Sequence, residues 1–397
     1  MTTTNGTERF TVPIGPQHPA LKEPGHFEFT LDDEVVSGAS LRLGYAHRGI
    51  EKLVESRNWT QSLYVLERIC GICSHIHAFA YCLAVEHLAG VTAPPRAQTI
   101  RVVTAELERL HSHMLWLGVT AHQAGFDTLF MYSWRDREAI MNILEALSGN
   151  RVHYSVNLLG GVKVDLTPEL IAVIAQGLDH LEERAAHYLD LVQTDSMFRR
   201  RTRGIGVMTR EQAEACGVVG PTARASGVAR DLRRDAPYAA YLDHAVNVVT
   251  DEAGDLEARV LVRVKELLES CALIRRLLQA LPEGDLTTRM PRRIPEGEAL
   301  MRVEAPRGEL FYFVRSTGGD RPDRVKVRTP SLPNIASVPL TAIGAQLADI
   351  PVLLAGVDPC FSCNDRMVLL ADHGGGTGTT RAWTWEQLRR YGIEHYR

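Results

Sequence analysis

Two Cys-x-x-Cys pairs, Cys70/Cys73 and Cys360/Cys363, stand 290 residues apart, one towards each end of a 397-residue chain. Thiolate sulfur is a soft donor that selects soft or borderline metals, and a Cys-x-x-Cys turn lets both sulfurs reach one ion. Local structural zinc sites keep their two pairs within some tens of residues. Here the whole fold has to close the site, which suits a buried reactive metal better than a local clip. A structural zinc held by the same four cysteines is the plainer alternative. The metal ligand is the thiolate, not the thiol, so positive charge is expected close by. Arg68 beside the first pair is a candidate, and Gly71 is expected to allow the tight backbone approach within it. Cys82, Cys216 and Cys271 lie in apolar or helical contexts and are expected to be simply buried.

His77 follows Cys73 by four residues, which on a helix places it one turn further along the same face. There a neutral imidazole could donate to a bridging sulfur and orient it. Without that frame it would read as an ordinary core histidine. His75 is offset on the helix and is assigned to packing or solvent.

The frames around both pairs resemble the large subunit of nickel–iron hydrogenases. Arg48-Gly49-Ile50-Glu51 is followed by fifteen residues and then Glu67-Arg68-Ile69-Cys70-Gly71-Ile72-Cys73, which matches the amino-terminal signature of that family. Asp358-Pro359-Cys360-Phe361-Ser362-Cys363-Asn364-Asp365-Arg366 is similar to the carboxy-terminal signature, except that Arg366 replaces its closing histidine. That arginine, with Gly15-Pro16-Gln17-His18-Pro19 and Glu304-Ala305-Pro306-Arg307-Gly308-Glu309, looks like the energy-converting, membrane-associated branch related to the 49-kDa subunit of respiratory complex I. The resemblance runs from about residue 12 to the end.

It implies four thiolates on nickel, with Cys73 and Cys363 also bridging to an iron that carries carbon monoxide and cyanide, and with Cys70 and Cys360 terminal. Splitting hydrogen heterolytically needs a hydride acceptor, a nearby base and a route for the proton. Glu23 aligns with the family's proton-gateway glutamate, which takes the proton from a terminal cysteine, here Cys360. Its plainer alternative is a surface carboxylate in a Pro/Gly-rich turn. Glu51 matches a carboxylate that helps hold magnesium together with the closing histidine. Arg366 cannot ligate a metal, so magnesium is disfavoured and a Glu51–Arg366 ion pair is expected instead. Arg307 matches the arginine overhanging the metals, where a planar cation polarises the pocket, and Asp358 is its expected partner. Ser331, in Thr329-Pro330-Ser331, resembles the segment that faces the diatomic ligands.

The leading reading is thus a catalytic subunit interconverting hydrogen with protons and electrons. Iron–sulfur clusters require sets of four cysteines, and none remains here, so an iron–sulfur small subunit is implied. Membrane ion-translocating subunits, nickel-insertion proteins and a maturation endopeptidase that cuts after Arg366 are further implied partners. Two competing readings are a metal-free complex I-type quinone-module subunit, which shares residues 15–19 and the Arg307 segment but has lost the thiolate set, and a zinc-bearing assembly scaffold.

The elements that must position these residues follow from periodicity. Residues 9–45 are expected to be β-rich, with strands Phe27–Leu31 and Ser40–Leu43 joined by an acidic turn. Residues 50–280 turn helical. Ile100, Val103, Leu107, Leu110, Met114 and Leu117 mark an amphipathic helix over 97–118, and 138–148, 167–194 and 251–280 read as further helices. Residues 283–300 look like a surface connection, followed by strands at 301–304, 310–315 and 324–329 and a short helix through 335–347. The expected fold is mainly α, a large helical bundle with small antiparallel β portions. Its organisation is one domain over 1–366 and an extension, 367–397, removed on maturation or kept as a docking helix. Apolar residues make up 45% and charged residues 23% of the chain, ordinary for a globular protein. A net charge of −4 gives no case for nucleic acid. No run of about twenty apolar residues and no signal pattern is present. A cytoplasmic protein is therefore expected, held to the inner face of the membrane through partners.

Overall fold

The computed structural model describes residues 9–364, together with Arg390 and Glu394. The chain opens with three antiparallel strands in spatial order β1-β2-β3: β1 (Arg9–Ile14), β2 (His26–Asp32) and β3 (Val35–Arg42). Central β2 alternates cleanly, burying Phe27, Phe29 and Leu31 as a half-buried strand should. Sequence pattern alone leaves β1 undetected, because it is an edge strand with only Ile14 buried.

Helices follow: α1 (Ile50–Val54), α2 (Trp59–Glu67), α3 (Ser74–Ala89), α4 (Pro95–Gln123) and α5 (Asp127–Ser148). A small hairpin, β4 (Asn157–Leu158) with β5 (Gly161–Val162), leads to α6 (Pro168–Thr194). Four short helices come next, α7 (Ser196–Arg200), α8 (Arg210–Cys216), α9 (Gly220–Arg224) and α10 (Leu232–Asp235), before the long α11 (Leu256–Gln279). Helix starts carry the chemistry that satisfies free amides: Asn58 and Gln61 form a capping box on α2, Thr167 caps α6 ahead of Pro168, and Asp255 caps α11. Helices α4, α5, α6 and α11 pack together as the body.

Helix α4 departs from expectation. Its predicted apolar positions are buried, but so are Arg101, Glu106, Glu108, Arg109, His111, Ser112 and His113 on the other faces. It is a central helix whose polar side is also interior. Helix α5 starts eleven residues before the expected 138, since Met131, Tyr132 and Trp134 in its first turns are exposed and break the apolar stripe.

The second half closes with the antiparallel sheet β6 (Gly297–Ala305), β7 (Gly308–Ser316), β8 (Arg324–Arg328), which packs on α3. The expected single helix at 335–347 is instead α12 (Ser331–Ala336) and α13 (Val338–Ala342), followed by α14 (Ile350–Gly356) and α15 (Phe361–Asn364). Phe27, Phe29 and Leu31 form one apolar core with Ile335, Val338, Leu354, Val357 and Phe361. The two ends of the described chain therefore share a core, and this brings the second cysteine pair to the first. Each such buried side chain contributes about 1.5–3 kcal/mol. Gly25 leaves the room this needs, since a Cβ there would lie 2.2 Å from the Phe361 ring. Cys82 and Cys271 are buried as expected, whereas Cys216 is only half-buried. Among the described residues no helix is long and apolar enough to cross a membrane.

Candidate metal centre

Both cysteine turns sit at helix starts, and each is held by a carboxylate from a distant element. After Cys73 the first amides of α3 are left without partners in their own helix. Glu108 of α4 reaches across and accepts from His75 N at 2.6 Å and Ile76 N at 3.1 Å. At the second turn Glu23, from the β1–β2 loop, accepts from Phe361 N at 2.6 Å, from Ser362 N at 3.2 Å and from the Ser362 hydroxyl. The predicted gateway glutamate is thus bonded to the residues directly after Cys360 and is no loose surface group.

The four sulfurs converge. Cys70 Sγ lies 3.4 Å from Cys360 Sγ, Cys73 Sγ 3.5 Å from Cys363 Sγ, and Cys360 Sγ 3.0 Å from Cys363 Sγ. No disulfide links them. Four sulfurs around one ion with metal–sulfur bonds of about 2.3 Å lie roughly 3.3–3.8 Å apart, so the two spacings that join one pair to the other suit a shared soft or borderline metal, and the sulfurs of Cys70, Cys73 and Cys363 all lie within 4.8 Å of one another. Cys70 accepts from the amides of Ile72 and Cys73 at 3.3 and 3.4 Å. Hydrogen bonds from Cys360, Cys363 and Cys73 hold its thiol well below the ordinary range. Cys73 and Cys363 are pushed up instead, by their hydrogen bonds to neighbouring sulfurs, Cys360 foremost, and by burial. The protein alone thus favours one thiolate, and four together call for the charge of a cation. This donor set fits the nickel that the sequence frames imply.

Around the sulfurs, His77 Nε2 lies 3.7 Å from Cys363 Sγ, so the imidazole meets the second pair and not Cys73. Tyr312 places its hydroxyl 2.8 Å from Nδ1 and holds the ring with Nε2 turned toward sulfur. Burial drives the His77 pKa down to about 4, so the ring is neutral. Arg307 is buried and paired with Asp358 Oδ1 at 2.8 Å, while its Nε donates to the Asp358 carbonyl at 3.0 Å and Nη1 reaches Ser112 Oγ at 3.4 Å. Ser331 Oγ accepts from Cys360 N at 3.3 Å, which makes it an anchor for the second turn. Glu51 accepts from Lys326 Nζ at 2.8 Å and Val327 N at 2.9 Å. The expected Glu51–Arg366 pair and the cut after Arg366 lie outside the described residues.

Two expectations change, and His75 takes the packing place that was one of its two expected roles. Gly71 does not take a left-handed φ, and a Cβ there would make only ordinary contact with Val152, so the tight turn comes from the amides bonded to Cys70. Arg68 points away, donating to Tyr64 O with most of its side chain in solvent. Arg307 supplies the positive field on the cysteines instead. His75 is fully buried, with Arg101 O at 2.9 Å and Asn157 Nδ2 at 3.1 Å.

Sequence reasoning gave no role to Arg48, Glu108 or Tyr312. Tyr312 was legible in the alternation of β7, where Leu310, Tyr312 and Val314 all point inward. Arg48 spans both cysteine turns, donating to Arg68 O at 2.9 Å, Ile69 O at 2.6 Å and Ser362 O at 3.2 Å. Arg48→Met should therefore loosen the alignment of the two pairs. Metal retention under chelator challenge is expected to fall about 10–100-fold, and retention equal to wild type would remove this role.

A family model described as "Respiratory-chain NADH dehydrogenase, 49 Kd subunit" matches residues 123–294 and 287–366, and one described as "Nickel-dependent hydrogenase" matches residues 48–119. The chain is 40% identical to the carbon monoxide-induced hydrogenase of Rhodospirillum rubrum over 90% of its own length and 99% of that protein's. It is 39% identical to the membrane-bound hydrogenase subunit alpha of Pyrococcus furiosus, covering 91% and 88% of the two chains. NADH-quinone oxidoreductase subunit 4 of Thermus thermophilus is 36% identical, over 91% and 95%. A solved structure of the membrane-bound sulfane sulfur reductase, an archaeal respiratory membrane complex, includes a chain that superposes with a TM-score of 0.86 at 31% identity, covering 92% of this chain and all of that one. By fold, by its cysteine frames and by these likenesses, the chain belongs to the oxidoreductase family that unites the 49-kDa-type subunit of respiratory NADH dehydrogenase with the large subunits of nickel-dependent hydrogenases.

Proposed function

We propose that this chain is the catalytic subunit of a nickel–iron hydrogenase, interconverting hydrogen with protons and electrons and passing the electrons to an iron–sulfur small subunit. The observation that carries the proposal is the meeting of the two cysteine pairs, with Cys70 Sγ 3.4 Å from Cys360 Sγ, Cys73 Sγ 3.5 Å from Cys363 Sγ and no disulfide between them. Cys70, Cys73, Cys360 and Cys363 would hold nickel, and Cys73 and Cys363 would also serve iron. When bound, the two metals supply the centre at which hydrogen is split or formed. Arg307 keeps a buried positive charge over the sulfurs and, paired to Asp358, fixes the start of the second cysteine turn. His77 orients Cys363 through its Nε2. Glu23 accepts the proton that leaves on the Cys360 side, with its carboxylate already bonded to the Ser362 hydroxyl.

The setting belongs to the same proposal: a peripheral subunit at the cytoplasmic face of an energy-converting or formate-hydrogenlyase-like membrane complex. The relatives named as membrane-bound and formate hydrogenlyase subunits support this. A metal-free complex I-type role is the second reading, favoured by the 49-kDa match over much of the chain.

Metal analysis separates these readings. In complex purified from a fully maturing host we expect close to one nickel per chain, with iron, both lost together with hydrogen turnover in Cys360→Ser. Zinc near one without nickel would favour a scaffold, and no metal at all would favour the complex I-type role.

A further inference from the structure

Behind the metal centre lies a second polar cluster, wholly inside the protein. Glu106, Arg109 and His113 come from α4, Arg224 from α9, Asp231 and Arg233 from the start of α10, Glu266 from α11 and Glu304 from β6, and all are buried. Glu106 pairs with Arg109 at 3.2 Å and with Arg233 at 3.1 Å; Arg233 pairs with Asp231 at 2.6 Å. Arg224 serves three carboxylates, Asp231 at 3.4 Å and both Glu266 and Glu304 at 2.8 Å. His113 meets Glu266 at 2.8 Å but stays neutral, its pKa pushed down to about 4 by burial. Arg263 stands nearby on α11, yet its guanidinium lies 4.0 Å over the Trp116 ring and donates to the Arg259 carbonyl.

Among the described residues, four carboxylates thus touch only three guanidiniums. A poorly compensated charge inside a protein is costly, so the carboxylate with the fewest donors is the one poised to exchange a proton. Glu106 has two guanidiniums and the hydroxyls of Tyr241 and Ser270. Asp231 has two guanidiniums, and Glu266 has His113 as a second donor. Glu304 shares Arg224, and among the described residues its other donor is the Leu232 amide at 3.2 Å. Charged and titratable groups face it: Arg224, Asp231 and Arg109 of α4, the Tyr238 hydroxyl that accepts from its amide, Glu309 opposite it on β7, and Arg302 and Arg328 around the same cleft. Burial and the Asp231 carboxylate lift its pKa to about 7.

Glu304 also lies where protons can come and go. It lines a cleft of about 640 Å³ together with Asp231, Arg302, Glu309, Phe311 and Thr329. Three residues further on, across the turn from β6 to β7, Arg307 faces the sulfurs. This turn is seated through two glycines: Gly308 and Gly220 approach so closely that a Cβ on Gly220 would lie 2.3 Å from the Arg307 carbonyl. Arg109 further ties the strand end, donating to the carbonyls of Glu304 and Ala305. Buried charges are weakly screened, and Arg307, whose charge acts on Cys360, Cys73 and Cys70, is the link between the thiolate centre and this strand end.

We propose that Glu304 is a redox-linked proton site, taking a single proton from water in the cleft when an added electron makes the thiolate centre more negative and returning it when that electron is withdrawn. The step makes or breaks one O–H bond on the carboxyl and nothing else. Its link to electrons rests on the hydrogen chemistry proposed above, whereas the protonation rests on the cluster alone.

Infrared difference spectroscopy of the intact complex tests it. Between about pH 6 and pH 8 a protonated-carboxyl band is expected to fade by at least half, and to be absent in Glu304→Gln. In Asp231→Asn, where the neighbouring carboxylate is gone, it should already be lost at neutral pH. Any other protonated carboxyl, Glu108 included, leaves a band that both variants keep. A fading band that survives in either variant overturns the assignment. Reduction with dithionite at fixed neutral pH should raise the band in wild type. A band unmoved by reduction in complex that contains nickel overturns the redox link and leaves the hydrogenase reading intact. Complex without nickel defeats that reading and with it the redox link, while the pH titration still decides whether Glu304 carries the proton.

Discussion

Arg307→Met should nearly abolish hydrogen turnover and destabilise the protein at the same time. The guanidinium is buried against Asp358 at 2.8 Å, and the second carboxylate oxygen of Asp358 has no partner among the described residues. Removing one member of a buried pair leaves the other charge unpaired in a low-dielectric interior, which costs about 3–5 kcal/mol. Turnover should fall about 10²–10³-fold as well, the usual consequence of deleting one preorganised charge from a reaction site. Arg307→Lys separates the two effects. Lysine keeps the charge and most of the stability, but it cannot donate to the Asp358 carboxylate and carbonyl in the same planar fork, so turnover should remain low. Chemical denaturation and a hydrogen assay on the same preparations decide the matter. A methionine variant as stable and active as wild type would show that Arg307 is dispensable.

Glu106→Gln is the second large effect, and it lies away from the sulfurs. Glu106 accepts from Arg109, Arg233, Tyr241 Oη at 2.5 Å and Ser270 Oγ at 2.6 Å. Burial opposes its charged form, but Arg109 and Arg233 overcome this and hold its pKa at about 2. A carboxyl lowered in the folded state stabilises it above the unfolded pKa and loses that contribution as pH falls towards the folded value. From an ordinary value near 4.5, the shift corresponds to about 3 kcal/mol at neutral pH. Glutamine fills the same volume without the charge. The difference in unfolding free energy between wild type and Glu106→Gln should be steady from about pH 6 to 8 and shrink below about pH 4. A gap that is absent at neutral pH, or that widens in acid, would sink this account.

How far such residues can be read from sequence depends on the range over which their chemistry is written. The cysteine pairs, His77 and Arg307 stand out because their spacing and frames are local, and the structure brings all of them to one place. Helices α6 and α11 follow their predicted limits closely, since their apolar periodicity and their caps, Thr167 and Asp255, are encoded within a few residues. In α4 the same periodicity finds the helix but misjudges its surroundings. A polar face reads alike whether it meets water or buried ion partners, and only packing shows that Glu106, Glu108 and Arg109 face inward. Pairings over long separations are likewise a matter of tertiary structure. Glu108 caps α3, Glu23 caps the turn after Cys360, and Arg48 bridges to Ser362 across 314 residues. Sequence by itself therefore determined which side chains are candidate metal ligands and where the long helices α4, α6 and α11 lie, because these depend on residue type and short spacing. Tertiary structure alone decided which buried charges meet, because a hydrogen bond is directional and short, and its partner is chosen by how distant elements pack.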